Sequence, residues 1–181
     1  ACAACGSPDI SSGRLCEPCN IALLTLVGLS YCPRCGTTIG PHIPIRPDGC
    51  PGCPNTLPRF TQVFRLGPYA DPLRTVIREL KYHRRDTMRR RMGQLLGQLV
   101  ASGTQDDQTA PQIVMPAPMH WRRRIVRGWD HARALAEAVG KELRLPVGNE
   151  LVRLRNTPQQ AHLPRSRRIT NVKGAFAVKN A

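Results

Sequence analysis

The chain of 181 residues is long enough for one or two domains, and it combines a formal net charge of +15 with only 4% aromatic residues. No stretch approaches the roughly 18 consecutive apolar residues of a membrane-spanning helix, so membrane insertion is not expected. Residues 61–181 hold 23 of the 27 lysines and arginines but only nine of the 12 acids, so the basic character belongs to the second part of the chain. Arginine dominates there, and its planar fork matches phosphate oxygens, so we expect nucleic acids or phosphorylated small molecules as partners.

All eight cysteines fall in four C-x-x-C pairs within the first 53 residues. Each such turn brings two thiolates to one face of a tight loop, and two turns complete a tetrahedral zinc site. The sequence therefore predicts two structural zinc ions. The predicted ligands are Cys2, Cys5, Cys16, Cys19, Cys32, Cys35, Cys50 and Cys53.

Two alternatives accompany this prediction. A disulfide framework is disfavoured, because neighbouring C-x-x-C partners make poor structural disulfides and residues 1–20 do not resemble a signal peptide. The four pairs could also interleave in a cross-brace. Excursions of ten and 14 residues between the pairs of one site suit short hairpins, and they favour two sequential ribbons. A region this small buries little hydrophobic core. Metal binding is therefore expected to supply its folding free energy.

A proline-rich stretch at residues 41–60 predicts a domain boundary. We expect a double zinc ribbon over residues 1–58 and a second domain over residues 59–181. The alternation of Phe60–Leu66 predicts the first strand of that second domain.

Three helices are predicted after that strand. They start at Asp71-Pro72, which suits a helix N-terminus, at Asp86 and at Asp130, and the last two end near Ala101 and Leu143. Together with the intervening strands, these helices predict an α/β fold with a parallel sheet. The remaining segments are predicted as a strand over Gln112–Pro116, a basic loop over Ala117–Asp130, a strand over Val147–Leu154 and a mobile surface segment over Arg153–Phe176.

The motifs of the chain, taken together, resemble one family. The C-x-x-C pairs are followed by Tyr69-Ala-Asp-Pro, by Pro116-Ala-Pro-Met-His120, by Arg127-Gly-Trp, and by Gln160 with Arg168-x-x-Asn171. This combination resembles the ComF family, also called the GntX or competence-associated phosphoribosyltransferase-like family, over nearly the whole chain.

The resemblance implies a double zinc ribbon followed by an incomplete type I phosphoribosyltransferase-like domain. It also implies a bacterial cytoplasmic protein linked to natural competence and DNA uptake, with single-stranded DNA as a partner. Phosphoribosyl pyrophosphate (PRPP), nucleotides and proteins of the competence machinery are further partners that the family suggests.

The chain departs from the family pattern in two places. The family reads Arg-Gly-Phe-Asn-Gln where this sequence has Arg127-Gly-Trp-Asp-His131. The two acids and the T-T-G loop that hold PRPP in type I phosphoribosyltransferases do not occur before Ala181. We therefore expect a form truncated before that loop. Transferase activity, with Mg²⁺ and PRPP, is an expectation for the complete protein and not for this chain.

Two functions predict two sets of site residues, and neither set assigns a catalytic residue. A transferase-type site would bind phosphate or substrate through Arg127, Gly128, Gln160, Arg168 and Asn171. A non-catalytic nucleic-acid-binding module would instead use Arg84, Arg85, Arg89, Arg122, Arg123 and Arg124, with Trp121, Trp129 and Tyr82 available to stack on bases. Solvated surface charge and ordinary packing are the competing explanations for these arginines and aromatic residues.

Overall fold

The computed structural model describes residues 1–8, 14–46, 48–54, 59–83, 86–104 and 110–179. The chain divides into two compact units, Ala1–Gln105 and Asp106–Ala181, called here unit 1 and unit 2. The domain boundary predicted at residues 58/59 remains a prediction. Within the described residues, no helix is both long enough and apolar enough to cross a membrane.

The described residues contain helices and one small sheet, which confirms the expected α/β class only in this coarse form. The helices are α1 (Glu17–Val27), α2 (Leu73–Tyr82), α3 (Asp86–Gly103), α4 (Trp121–Arg127), α5 (His131–Leu143) and α6 (Arg165–Val172). The strands are β1 (Leu151–Arg153) and β2 (Phe176–Val178), and a single 3₁₀ turn covers Gln160–His162.

Two cysteine turns of unit 1 share the same local geometry. The backbone N–H of Gly6 donates to the carbonyl of Cys2 at 3.1 Å, and that of Gly36 donates to Cys32 at 2.8 Å. Both glycines have φ near +78°, a left-handed conformation that residues with a Cβ atom rarely adopt. Each glycine thus reverses the chain directly after the second cysteine of its pair.

The core of unit 1 is built by α2 and α3 with one buried residue of α1. Val76 and Leu23 are fully buried, and Met88 and Met92 are 2% exposed. Burying each of these side chains contributes on the order of 1.5–3 kcal/mol. The helix predicted after Asp71 is confirmed as α2, and it buries Leu73, Val76 and Leu80. The helix predicted from Asp86 is also confirmed.

Phe60–Leu66 does not form the predicted strand. Its described backbone instead hydrogen-bonds to the turn between Cys32 and Cys35, where the N–H of Val63 donates to Pro33 O at 2.7 Å. The guanidinium of Arg34 donates to the carbonyls of Phe60 and Thr61. These loop contacts take the hydrogen-bonding groups that a neighbouring strand would otherwise have used.

Unit 2 contains one helix where a basic loop was predicted. Over Trp121–Arg127 the chain forms α4, whose first turn is capped by the ring of His120 accepting from Arg122 N–H at 3.3 Å. Gly128 ends α4 in a left-handed conformation with φ of 75°. The next helix agrees with expectation, since Asp130 caps α5 by accepting from the N–H groups of Ala132 and Arg133, both at 3.1 Å.

The strands of unit 2 are shorter than predicted. Val114 and Val147 form one isolated parallel bridge, and α5 lies between them in sequence. β1 pairs antiparallel with β2, with Val152 opposite Ala177. The segment Arg153–Phe176, predicted to be mobile, therefore has regular structure. Its two ends are joined by the pairing of β1 with β2, and α6 lies between these strands. A complete phosphoribosyltransferase-like sheet is absent from the described residues.

Candidate metal centres and cationic cleft

The first cysteine cluster consists of Cys2, Cys5, Cys16 and Cys19, whose sulfur atoms all lie within 4.8 Å of one another. Cys2 is buried, and its sulfur accepts from the backbone N–H of Ala4 at 3.4 Å and of Cys16 at 3.3 Å. The Sγ atoms of Cys5 and Cys16 are 3.6 Å apart. Cys16 also precedes α1 directly, so this cluster fixes the start of that helix.

The second cluster consists of Cys32, Cys35, Cys50 and Cys53, again with all sulfur atoms within 4.8 Å of one another. Sulfur–sulfur distances are 3.6 Å for Cys32–Cys53, 3.7 Å for Cys35–Cys50 and 4.0 Å for Cys50–Cys53. The cysteines therefore group sequentially, as favoured from the spacing, and not as an interleaved cross-brace. None of the eight cysteines forms a disulfide.

Both clusters have dimensions that fit zinc. A tetrahedral ion with Zn–S bonds of about 2.3 Å has sulfur–sulfur edges of about 3.8 Å, close to the distances found here. Four thiolates leave no open coordination position for a substrate, so such a site is structural. The two groups could thus bind metal ions and are compatible with the two predicted zinc ions.

Local hydrogen bonds favour one thiolate in each cluster. Burial raises the pKa of Cys2, but backbone N–H donors outweigh burial and lower its pKa to about 6. The same opposing causes lower the pKa of Cys32 to about 6. In contrast, burial and the neighbouring thiols raise the pKa of Cys19, and burial and Cys32 raise the pKa of Cys53 to about 12. A bound divalent cation would favour the thiolate form of every ligand and remove this asymmetry.

The arginines predicted to contact nucleic acid have different surroundings. Arg84 and Arg85 lie outside the described residues. Arg89 pairs with Asp86 at 3.3 Å, and the guanidinium of Arg122 lies 5.2 Å from the ring centre of Trp121. Arg123 donates to the carbonyl oxygen of Thr157.

The aromatic residues proposed to stack on bases are not equally accessible. Trp121 is 54% exposed and Tyr82 is 60% exposed. Trp129 is half-buried, and its ring lies edge-on to that of His131 at 6.3 Å. Trp121 and Tyr82 can therefore offer a ring face to a ligand more readily than Trp129.

The predicted phosphate-binding turn lies at the end of α4. Arg127 Nη1 is 3.4 Å from Nδ1 of His131, and Gly128 forms the left-handed cap described above. The role assigned to Arg127 and Gly128 remains a prediction.

Gln160, Arg168 and Asn171 are brought together in one hydrogen-bond network. Asn171 Nδ2 donates to Gln160 Oε1 at 2.9 Å and to Pro158 O at 3.1 Å. Gln160 Nε2 donates in turn to the carbonyl of Arg168 at 2.9 Å, and Arg168 Nε donates to Leu163 O at 3.1 Å. These bonds hold α6 against the 3₁₀ turn, and the substrate contact predicted for the three residues remains a prediction.

A cleft of about 400 Å³ lies in unit 2 where the chain leaves the Val114–Val147 bridge. Its cationic side chains are Arg124, Arg133, Arg153 and Lys179, and Trp121 borders it. Asp130 also lines the cleft, but its carboxylate accepts the two N–H groups at the start of α5. The cleft is therefore positively charged overall and would favour an anionic ligand.

Three of these cations were missed as site residues in the sequence. Arg153 is the best placed of them, because it donates to Thr157 Oγ1 and lies 5.3 Å from the ring centre of Phe176. Burial and then the positive charge of Arg123 lower the pKa of Arg153. The run Arg153-x-Arg-x-Thr157 was visible in the sequence, but the pairing of β1 with β2 decides that Arg153 reaches the cleft.

The fold and these sites define a protein with two four-cysteine groups that could bind metal ions and a cationic cleft in a second unit. Known proteins with related sequences have names in one functional area. The chain is 26% identical over 175 residues to Competence protein F of Haemophilus influenzae, covering 96% of this chain and 73% of that protein. It is 27% identical over 173 residues to DNA utilization protein YhgH of Salmonella typhi, covering 94% and 73% of the two chains. The Escherichia coli K12 protein of the same name is 26% identical over 168 residues.

These homologues confirm the resemblance to the ComF family, at about 26% identity over most of the chain. No family model matches the sequence, and no solved structure matches it.

Proposed function

We propose that this protein acts in competence-type DNA utilization by binding single-stranded DNA in the cationic cleft of unit 2. The relatives named for competence and DNA utilization support the biological role. The observation that carries the ligand class is an exposed tryptophan beside four cationic side chains. Proteins that hold single strands without sequence preference combine such a charged groove with aromatic rings on which bases stack.

The geometry supports separate tasks for the two parts of the cleft. Arg124 and Arg153 would contact phosphate oxygens, since guanidinium groups bind them through paired hydrogen bonds. Trp121 would stack on a base with its exposed ring, and the guanidinium of Arg122, 5.2 Å from the ring centre, adds positive charge nearby. Such stacking is worth about 1–3 kcal/mol per base. Thr157 and Phe176 would hold Arg153 in place before the ligand arrives.

The test is fluorescence anisotropy with a labelled oligothymidine and the metal-loaded chain. Trp121→Ala should weaken binding by about 5- to 150-fold, the equivalent of that stacking energy. Arg124→Ala should weaken binding and make it less dependent on salt. Arg165→Ala is the matched control, because Arg165 is exposed on α6 in the same unit but does not line the cleft.

Equal losses for Arg124→Ala and Arg165→Ala would show that net charge alone attracts the DNA, and the cleft would then have no role. Affinity that barely changes between low and moderate salt would also contradict the proposal, because phosphate contacts release counterions.

A second candidate function is binding of phosphoribosyl compounds such as PRPP, as in phosphoribosyltransferases. The observation that favours it is the parallel bridge between Val114 and Val147, joined through α5. Ligands of α/β proteins bind beyond the carboxyl ends of such strands, and Pro116 and Asn149 line the cleft at that point. Mg²⁺ would then accompany the pyrophosphate group and neutralise part of its charge.

Competition separates these two candidates. PRPP with Mg²⁺ should displace the oligonucleotide if both occupy the cleft, and displacement should be lost in Arg124→Ala. Oligonucleotide binding that PRPP leaves unchanged would favour the DNA-binding function alone.

A further inference from the structure

A second cleft lies in unit 1, and it shares no residue with the cleft of unit 2. It has a volume of about 700 Å³ and is formed by two walls. One wall comes from the segment around the first cysteine cluster and contributes Arg14, Leu15 and Asn20. The other wall is the start of α3, with Thr87, Met88, Arg90, Arg91 and Gln94.

The charge of this cleft is entirely positive among the described residues that line it. Arg14, Arg90 and Arg91 contribute three guanidinium groups, and no acidic side chain lies with them. Within the described part of the chain, these three side chains make no ion pair or hydrogen bond. Three cations that converge from two chain segments repel one another, and a bound anion would offset that repulsion.

The neighbouring Arg89 provides a contrast on the same helix. It pairs with Asp86 at 3.3 Å and does not line the cleft. Adjacent arginines of α3 thus have different surroundings, one neutralised locally and two directed to the cleft.

The other lining groups limit the class of anion. Asn20 and Gln94 offer amide N–H donors, and Leu15 offers apolar surface for a sugar. None of the described lining residues is aromatic, so the cleft has no surface on which a base would stack. These features match a sugar–phosphate backbone better than a nucleobase.

The first cysteine cluster determines the position of one wall. Arg14 and Leu15 immediately precede the ligand Cys16, and Asn20 immediately follows Cys19. The carbonyl of Arg14 accepts from Ala3 N–H at 2.8 Å, and Asn20 N–H donates to Cys16 O at 2.8 Å. The second cluster contributes no residue among those described in this cleft.

We infer that this unit 1 cleft is a second binding site for the phosphodiester backbone of single-stranded DNA, with its wall positioned by the first cysteine cluster. The ligand class rests on the proposed function, whereas the site and its residues are independent of the unit 2 cleft. A strand bound there would be held through its phosphates and sugars, without regard to base sequence.

The experiment measures anisotropy of the metal-loaded chain with two probes: a labelled oligothymidine and an abasic strand of the same length. Arg91→Ala should weaken binding of both probes by about tenfold, the loss expected for a charge-assisted contact. It should also reduce the slope of log K against log salt by about 0.7. Arg89→Ala removes the same charge two positions earlier on α3. The sequence predicted Arg89 as a nucleic-acid contact, but Arg89 pairs with Asp86 and does not line the cleft, so this variant should change affinity by less than about twofold.

The abasic strand separates the two sites. Trp121→Ala should weaken the oligothymidine only, because the abasic strand has no base to stack. If the unit 2 proposal fails, Trp121→Ala has no effect on either probe while Arg91→Ala still weakens both. If Arg91→Ala and Arg89→Ala give equal losses, or if neither changes the abasic strand, the unit 1 site is refuted.

Cysteine variants test the positioning by the first cluster. Cys19→Ser should weaken binding of the abasic strand about as much as Arg91→Ala does, whereas Cys53→Ser in the second cluster should leave it unchanged. Far-ultraviolet circular dichroism shows whether each variant keeps its helices. If Cys19→Ser unfolds unit 1, the Arg91 and Arg89 pair still decides whether the site exists. A folded Cys19→Ser variant with unchanged affinity would refute the positioning role.

Discussion

Thr157 is a buried residue of unit 2 that accepts hydrogen bonds from two arginines. It is 3% exposed, its hydroxyl accepts from Arg153 and its carbonyl accepts from Arg123. Thr157→Val keeps the shape of the side chain and removes only the hydroxyl. Because the partner is a charged and partly desolvated guanidinium, the lost bond should cost about 1.5–3 kcal/mol.

That cost can be translated into a melting temperature. For a unit of this size, each 1 kcal/mol lowers Tm by roughly 4–8 °C, so Thr157→Val should lower the Tm of unit 2 by roughly 6–24 °C. The two tryptophans of the chain, Trp121 and Trp129, both lie in unit 2. Their fluorescence during thermal unfolding therefore reports on this unit and not on the cysteine clusters.

Thr170→Val is the matched control for this measurement. Thr170 lies exposed on α6, and its hydroxyl donates only to the carbonyl of Arg167 at 3.1 Å. The control should stay within about 0.5 kcal/mol of the original protein. Equal Tm changes for the two variants would refute the claim that Thr157 holds Arg153 in the cleft. A stable Thr157→Val variant that binds oligothymidine normally would refute it as well.

Two further predictions concern metal and pH. The chain should contain about two zinc ions, since each predicted site takes four thiolates. Acidification should release them because protons compete for those thiolates, and a chromophoric chelator measures the release. A content of one ion would contradict a site in one of the clusters. Hydrogen bonds from Thr75 and then Arg74 lower the pKa of the Asp71 carboxyl, so its contribution to stability is present above the unfolded pKa and is lost as pH falls through the folded pKa. Asp71→Asn should therefore destabilise the chain in urea at about pH 7, and the difference should shrink as pH falls through the folded pKa. A difference that stays constant on acidification would show that the charge of Asp71 is not the cause.

The two four-cysteine groups could be predicted from the sequence because their geometry is local. Two cysteines separated by two residues need only one turn to converge, and the short excursions between pairs limit which pairs can meet. The sequential grouping of both clusters follows from that chain geometry. The helices α3 and α5 could be predicted for a related reason, since their apolar spacing and the Asp130 cap are properties of the helix itself.

The segments predicted wrongly depend on partners distant in sequence. Phe60–Leu66 alternates like a strand, but Pro33 and Arg34 take its backbone groups. The segment that forms α4 is basic, and its start depends on the cap that the His120 ring provides. The tail from Arg153 has a composition typical of a mobile surface segment. Its structure instead comes from the pairing of β1 with β2 and from the hydrogen bond between Gln160 and Asn171.

The sequence by itself determined the candidate metal ligands, the location of positive charge and the resemblance to the ComF family, because these depend on residue identity and short spacing. Only the tertiary structure decided which cations converge. Arg153 reaches a cleft through strand pairing, and Arg91 lines another while Arg89, two positions earlier on α3, pairs with Asp86. A binding site needs several groups at one place, and the fold brings together residues that the sequence keeps far apart.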